Sequence, residues 1–363
     1  MSNENNKERI TANTFALKLQ EFTHRIWYGG SRGYIALLPF SWLFAGLSAL
    51  RRFLYRRNIL RSYRMPVPVI VVGNITAGGS GKTPVTLWLA RWMQQAGKNP
   101  AIVSRGYGGN HTGITERVSA DSDPRVVGDE PVLLAKRSGA PVYVDKNRVL
   151  AAQAAVADGA NIIISDDGLQ HYRLQRDAEI AVVDASRGLG NGHLLPAGPL
   201  RESEARLNTV DRILVQCETE DESARYGNRA NDRRTTRFML AGDTLENLAD
   251  GARLPIAELS GDSVHAVAAI GHPERFFRYL ERHGLKVEPH PLADHARITR
   301  EDLEFDDDFK VIVTEKDAVK CRGIADKRIW SLPVDLVMVD DEHMVWAQAL
   351  NTRLTDREAA KAI

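Results

Sequence analysis

Residues 33–50 are uncharged and mostly apolar, reading G-Y-I-A-L-L-P-F-S-W-L-F-A-G-L-S-A-L. The chain then turns basic. Arg51, Arg52, Arg56, Arg57, Arg61 and Arg64 are interleaved with Phe53, Leu54, Tyr55 and Leu60. As a helix, residues 33–50 would reach ~27 Å, just short of a hydrocarbon core of ~30 Å. Pro39 and Ser41 weaken the stretch further as a span. The basic, aromatic flank suits an anionic membrane surface, and on insertion it would hold the downstream domain in the cytoplasm. A core helix with a solvated basic flank is the competing reading. Whether the segment spans or lies in the surface is left open. A cleaved signal peptide is not expected, because the preceding region is long and mixed in charge and no small-residue cleavage site comes after the apolar run. The first fourteen residues are polar and are expected to fray.

Beyond residue 64 the pattern alternates. A β-branched run at 69–72 precedes a helical stripe at 85–96 (Val85, Leu87, Leu89, Trp92, Met93), with Gly97 as its C-cap. Strands are predicted at 100–103, 161–164, 179–184 and 212–216. The polar stretch 218–234 reads as an insertion or boundary. Strand 264–270, helix 274–283 and strands 310–313 and 336–339 come next. Alternating strands and helices favour a parallel sheet, so the fold class is α/β. The expected division is a membrane-associating segment (1–64), a P-loop domain (65–216) and a smaller α/β domain (217–363), with a last helix able to pack back.

The first strand leads into N-I-T-A-G-G-S-G-K-T-P, residues 74–84. Strand, glycine-rich turn, Lys-Thr and helix in that order make a phosphate-binding P-loop. The loop amides of Thr76, Ala77, Gly78, Gly79, Ser80 and Gly81 would converge on an anion at a helix N-terminus. Lys82 would bridge the terminal phosphates, and the Thr83 hydroxyl would hold Mg²⁺. The usual first glycine is Thr76 here, which requires a negative φ at that position.

Two acid pairs accompany the loop. Asp166-Asp167 come after N-I-I-I-S, as in the Walker B arrangement, and adjacent carboxylates are costly without a cation. Asp129-Glu130 precede Pro131. They are either first-turn acids of a helix or hold a general base for an alcohol acceptor. Ser104-Arg105-Gly106-Tyr107-Gly108-Gly109 sits beyond a strand's carboxyl end, where ligands of open α/β sheets bind. Residues 188–202 are too long and Gly/Pro-rich for a connector. There Leu194, Leu195, Pro196, Leu200, Arg201 and Glu202 are expected to line a groove. Gln170, His171, Tyr172 and Arg173 could bind polar substrate. A sugar phosphate would need cations such as Arg105, Arg173 and Arg201.

Composition adds limits. The formal net charge of +1 over 363 residues does not point to nucleic acid. Two distant cysteines, Cys217 and Cys321, suit a reducing compartment and show no metal or redox spacing.

Taken together, the chain resembles the tetraacyldisaccharide 4'-kinase family of lipid A biosynthesis. The resemblance is carried by residues 73–84, S-R-G-Y-G at 104–108, G-D-E-P at 128–131, D-D-G-L-Q-H at 166–171, L-P-A-G-P-L-R-E at 195–202 and T-E-K-D at 314–317. It covers most of the chain and implies transfer of the ATP γ-phosphate to the 4'-hydroxyl of a tetraacyldisaccharide 1-phosphate. ATP and Mg²⁺ are the implied cofactors, on the cytoplasmic face of the bacterial inner membrane. The implied partners are the lipid substrate and the membrane surface, with no obligate protein partner. Asp129 becomes the candidate base, with His295 pairing with it. Lys82 handles phosphate, Thr83, Asp166 and Asp167 attend the metal, and Arg105, Glu130, His171, Arg173 and Arg201 attend the lipid. Where the family often has a second His, this chain has Ala296. The alternative is a P-loop GTPase or metallochaperone switch. Its guanine-reading N/T-K-x-D order is not matched by Thr314-Glu315-Lys316-Asp317.

Overall fold

The computed structural model describes residues 17–110, 113–219, 234–324, 326–339 and 343–361. The polar stretch 218–234 and the polar N-terminus therefore lie largely outside the described residues. Two compact units are present. The larger takes in residues 30–240 and 336–361, the smaller residues 241–335 and 17–29.

The larger unit is built on a nine-stranded sheet. Its strands are β1 (Val69–Gly73), β2 (Pro100–Ser104), β3 (Glu116–Val118), β4 (Val142–Val144), β5 (Ile162–Ser165), β6 (Ala178–Asp184), β7 (Arg212–Gln216) and β8 (Thr235–Ala241), with Asp335–Met338 added outside β8. The spatial order inward from that strand is β8-β7-β6-β1-β5-β2-β4-β3. Pairings among β1, β2 and β4–β8 are parallel; β3 runs antiparallel to β4 at the edge. Strands β1, β2, β5 and β6 are buried along their whole length. This is why they read as apolar runs without alternation.

Residues 17–27 form α1, which groups with the smaller unit. The helices of the larger unit begin with α2 (Leu38–Arg56), α3 (Lys82–Gln95), α4 (Pro124–Val127), α5 (Asp129–Ser138) and α6 (Arg148–Ala157). Helix α3 begins at Lys82, two residues before Pro84, because Gly81 takes the N-cap position. Helix α5 likewise starts at Asp129 rather than at Pro131.

Helix α2 continues a 3₁₀ segment, Arg32–Leu37, and the two together run 25 residues, long and apolar enough to cross a membrane. Pro39 does not break it. The proline sits in the first turn, where no intrahelical N–H bond is lost. The helix is amphipathic in an inverted sense. Its inward side is polar: the Ser41 hydroxyl donates to the Leu194 carbonyl at 2.8 Å, and Arg52 meets Glu202 at 3.5 Å. Phe40, Trp42, Leu43, Leu47, Leu50 and Phe53 are exposed instead, Trp42 by 68%.

The smaller unit has a six-stranded sheet of β9 (Thr244–Asn247), β10 (Arg253–Pro255), β11 (Ser263–Ala268), β12 (Lys286–Pro291), β13 (Lys310–Thr314) and β14 (Ile329–Leu332), in the order β10-β9-β14-β13-β11-β12. Helix α7 (Pro273–Arg282) packs Phe276, Phe277 and Leu280 against Val264, Ala266 and Ala268. The opposite face, Val267, Val311 and Val313, is covered by Ile298, Leu303 and Cys321. A single turn, α8 (Glu315–Ala318), comes directly after β13. The last helix, α9 (His343–Lys361), belongs to the larger unit, where Trp346 meets Trp88 and the guanidinium of Arg212.

Candidate active site

The P-loop lies between β1 and α3 and is braced from inside and outside. Asn74, fully buried, donates from Nδ2 to the Ser80 hydroxyl at 2.9 Å. Gly81 has φ +79°, a conformation that strains any other residue, and a Cβ there would stand 2.3 Å from Gln216 Oε1 and force that side chain to move. Thr76 keeps a negative φ, as its place in the loop requires. The 188–202 segment pairs directly with the loop. Ala77 N–H donates to the Pro199 carbonyl and Arg201 N–H to the Ile75 carbonyl, each at 2.7 Å. Leu200 is accordingly buried in the core with Leu194 packed against it. The groove expected from these two leucines is replaced by a brace.

Strand β5 delivers the acid pair beside β1. Asp166 is buried and accepts from the Thr86 hydroxyl at 3.0 Å. Burial, then the charges of Glu130 and Asp167, push its carboxyl well above the ordinary range. Asp167 takes a left-handed φ of +46°, which turns its carboxylate toward cations. It accepts from Arg201 at 3.1 Å and lies 3.7 Å from Lys82 Nζ. Burial works against its ionised form, but Lys82, Arg201 and Arg148 outweigh it and hold the group below the usual carboxylate range.

Arg148, at the start of α6, is buried and donates to the carbonyls of Asp166 (3.2 Å) and Asp167 (2.8 Å). The turn carrying both acids is therefore clamped from behind. Buried Glu202 collects a second set: Gln170 at 3.1 Å, the Tyr172 hydroxyl, Arg52, and Arg206 at 3.6 Å. Gln170 also donates to the Asn74 carbonyl at 3.0 Å. Glu202 thus ties the P-loop, the loop after β5 and helix α2 together. Neither Arg148 nor Glu202 stands out as a positioning group in sequence. Arg148 lies in an alanine-rich helix with no motif, whereas Glu202 belongs to a recognised motif but reads only as a groove residue.

Asp129 opens α5 and is buried. Its Oδ1 accepts the Glu130 amide at 2.8 Å, so it serves as a first-turn acid as well. The backbone before it is set by two close approaches. A Cβ on Gly128 would meet the Tyr107 carbonyl at 2.5 Å, and one on Gly106 the Val127 carbonyl at 2.9 Å. The glycine-rich 104–109 loop therefore positions Asp129. Arg105 is exposed, near enough to Arg148 for its like charge to act on that group. His171 is pushed down to about 3, first by burial and then by Arg148, Arg176, Arg51 and Arg173, so its ring is neutral near pH 7. Exposed Arg173 lies over the Tyr63 ring, 5.1 Å from its centroid. One unit thus brings Lys82, Glu130, Asp166, Asp167, Arg148 and Arg201 into mutual range.

His295 belongs to the smaller unit. It has φ +59°, donates its amide to the Ala269 carbonyl at 3.1 Å, and places Nε2 3.2 Å from Lys316 Nζ and 3.7 Å from Asp294. The T-E-K-D stretch explains this. Fully buried Asp317 accepts the Ala269 amide at 3.0 Å and the Thr314 hydroxyl at 2.7 Å, which ties β13 to β11 and sets Lys316 beside His295. Those residues are structural there and do not form a guanine-reading loop.

A P-loop on a parallel sheet, an acid pair on the adjacent strand and a buried Asp at a nearby helix start define the class as a P-loop phosphotransferase. Residues 34–355 match the family model described as LpxK, tetraacyldisaccharide-1-P 4'-kinase. The chain belongs to this family. It is 45% identical over 336 residues to the tetraacyldisaccharide 4'-kinase of Methylobacillus flagellatus, covering 92% of this chain and 97% of that one. It is 49% identical over 300 residues to that of Alkalilimnicola ehrlichii, covering 83% and 87%. The crystal structure of LpxK from Aquifex aeolicus in complex with ATP superposes with a TM-score of 0.73 at 27% identity, over 88% of this chain and 99% of that one.

Proposed function

We propose that this chain, a kinase of the lipid A precursor, transfers the γ-phosphate of ATP to the 4'-hydroxyl of tetraacyldisaccharide 1-phosphate at the cytoplasmic face of the inner membrane. The observation that carries the reading is the convergence of Lys82 with Asp166-Asp167 at the carboxyl ends of neighbouring strands, in a member of this kinase family.

ATP is bound through the loop amides of Thr76 and residues 78–81 and by Lys82, with the N-terminus of α3 behind them; the Ala77 amide, expected to join them, is instead committed to the Pro199 carbonyl. The residues fit Mg²⁺: all donors are oxygens, and the buried Asp166 carboxyl, pushed up by burial and by Glu130 and Asp167, would be held ionised by a hard cation. Thr83, Asp166 and Asp167 would hold it, and when bound it supplies charge neutralisation for the phosphates. Asp129 takes the proton of the acceptor hydroxyl as its oxygen bonds to the γ-phosphorus and ADP departs. The family resemblance gives His295 the supporting role toward Asp129. Arg201 anchors Asp167 and, with Arg105 and Arg173, offers cations to the sugar phosphate; Glu130 and neutral His171 offer polar contacts. The exposed apolar face of α2 suits the membrane that holds a four-chain lipid.

The test is a phosphoryl-transfer assay with ATP, Mg²⁺ and detergent-dispersed tetraacyldisaccharide 1-phosphate, read by mass spectrometry, with Lys82→Ala as control. One added phosphate on the lipid, absent in the control, is the expected result. ATP hydrolysis without lipid product would overturn the assignment.

A further inference from the structure

The smaller unit carries a cluster of metal-ligating side chains that the phosphotransfer chemistry does not use. His265 lies on β11 and Glu288 and His290 on the edge strand β12, paired in parallel so that His265 stands opposite Glu288. Residues two apart on a strand share a face, so Glu288 and His290 both present themselves to His265. His265 Nδ1 lies 3.0 Å from His290 Nε2 and 3.4 Å from Glu288 Oε2, and the three ligand atoms all fall within 4.8 Å of one another.

Two further observations distinguish this from a chance polar contact. His265 is buried, only 3% exposed, and its ring is stacked on Phe305 with centroids 3.6 Å apart, so its orientation is held by packing. Its other nitrogen, Nε2, lies 3.1 Å from both oxygens of Asp307. Donation from Nε2 to that carboxylate leaves the lone pair of a neutral ring on Nδ1, toward His290 and Glu288. A carboxylate behind a histidine is the arrangement that fixes metal-binding imidazoles and raises their basicity.

We propose that His265 Nδ1, His290 Nε2 and the Glu288 carboxylate bind a divalent cation of the zinc class, with Asp307 orienting His265. Two ligands at ~2.0–2.1 Å from a tetrahedral ion stand about 3.3 Å apart, a spacing that the observed 3.0 and 3.4 Å bracket closely. Two imidazoles and one carboxylate select a borderline ion over Mg²⁺, which prefers an all-oxygen shell. The site lies at the start of β11, whereas His295 bonds to Ala269 just past its end. His265 and Ala269 are four residue steps apart along the chain, ~13 Å of extended backbone. The ion would pin edge strand β12 to β11 and, through Asp307, the loop before β13. Its role is therefore to stabilise the smaller unit rather than to take part in phosphotransfer.

The experiment uses the full-length, tag-free protein stripped with a chelator. Zn²⁺ is titrated by calorimetry, and Co²⁺ is added separately as a spectroscopic probe. One equivalent of Zn²⁺ that excess Mg²⁺ does not displace, with a Co²⁺ spectrum of a low-coordinate nitrogen–oxygen site, is expected. Affinity should fall at least tenfold in His290→Gln and in Glu288→Gln, two residues outside the core, while lipid phosphorylation with Mg²⁺ persists in both. Absence of stoichiometric Zn²⁺ binding, displacement by Mg²⁺, or binding unchanged in both variants would overturn the proposal. Buried His265→Asn serves only as a confirmatory third variant.

Discussion

Asp129 is buried at a helix start, one residue from Glu130 and held by backbone that only glycine at positions 106 and 128 can adopt. The role proposed for it, taking the proton of the acceptor hydroxyl, bears on turnover and not on binding. Asp129→Asn should therefore lower kcat by about 10²–10⁴ while leaving KM within a few-fold; steady-state kinetics with the lipid acceptor checks this, and a change confined to KM would make Asp129 a binding residue. Gly81→Ala should weaken ATP binding at least tenfold, since φ +79° strains an alanine and its methyl group would displace the Gln216 side chain beside the loop; equilibrium titration with ATP checks this. His171 supplies a prediction in pH. Its pKa falls from an ordinary 6.5 to about 3, mainly through burial and then through surrounding arginines. The unfolded chain thus takes up this proton first as pH drops. The associated stability is complete above about 6.5 and is lost as pH falls toward 3. Urea midpoints at pH 7 and 5 should differ less for His171→Asn than for the parent protein.

Helix α2 shows what an element can do that its residues individually cannot. Its polar side is committed to the larger unit through Ser41 and Arg52, which leaves the aromatic and leucine side exposed. Trp42→Glu with Leu43→Glu should shift the protein from the membrane fraction to the soluble one, with turnover of detergent-dispersed substrate retained. Sedimentation with vesicles of anionic lipid measures this, and unchanged co-sedimentation would place the attachment elsewhere. The two β-strands that flank β1 make the complementary point. Parallel pairing with β5 puts Asp166 and Asp167 beside the P-loop although they lie more than eighty residues away in the chain.

For the whole molecule, ligand binding and stability are linked. ATP with Mg²⁺ stabilises the state that binds it by RT ln(1 + [L]/Kd), about 2.7 kcal/mol at a hundredfold excess over Kd. Calorimetric scans should show this rise in the parent protein and not in Lys82→Ala. Should the two compact units unfold in separate transitions, only that of the larger unit should move with ATP. An effect of ATP confined to the smaller unit would contradict the placement of the nucleotide site.

Features carried by contiguous residues were legible in the sequence: the V-I-V-V run into the glycine loop, the I-I-I-S-D-D strand end, the apolar 33–50 stretch and its arginines. Each depends on local period or spacing, which the backbone converts directly into strand, turn or helix. The resemblance of six such motifs to one kinase family rests on the same locality. Features that depend on long-range register were not legible. Arg148 clamps the acid pair from an alanine-rich helix, Glu202 joins three segments, Leu200 turns inward to brace the P-loop, and His265 meets Glu288 and His290 across two strands. No spacing along the chain encodes these, because they arise when sheet pairing and packing bring distant positions to one face. The sidedness of α2 belongs with them: composition made it apolar, but only the docking of Ser41 and Arg52 determined which face stays outside.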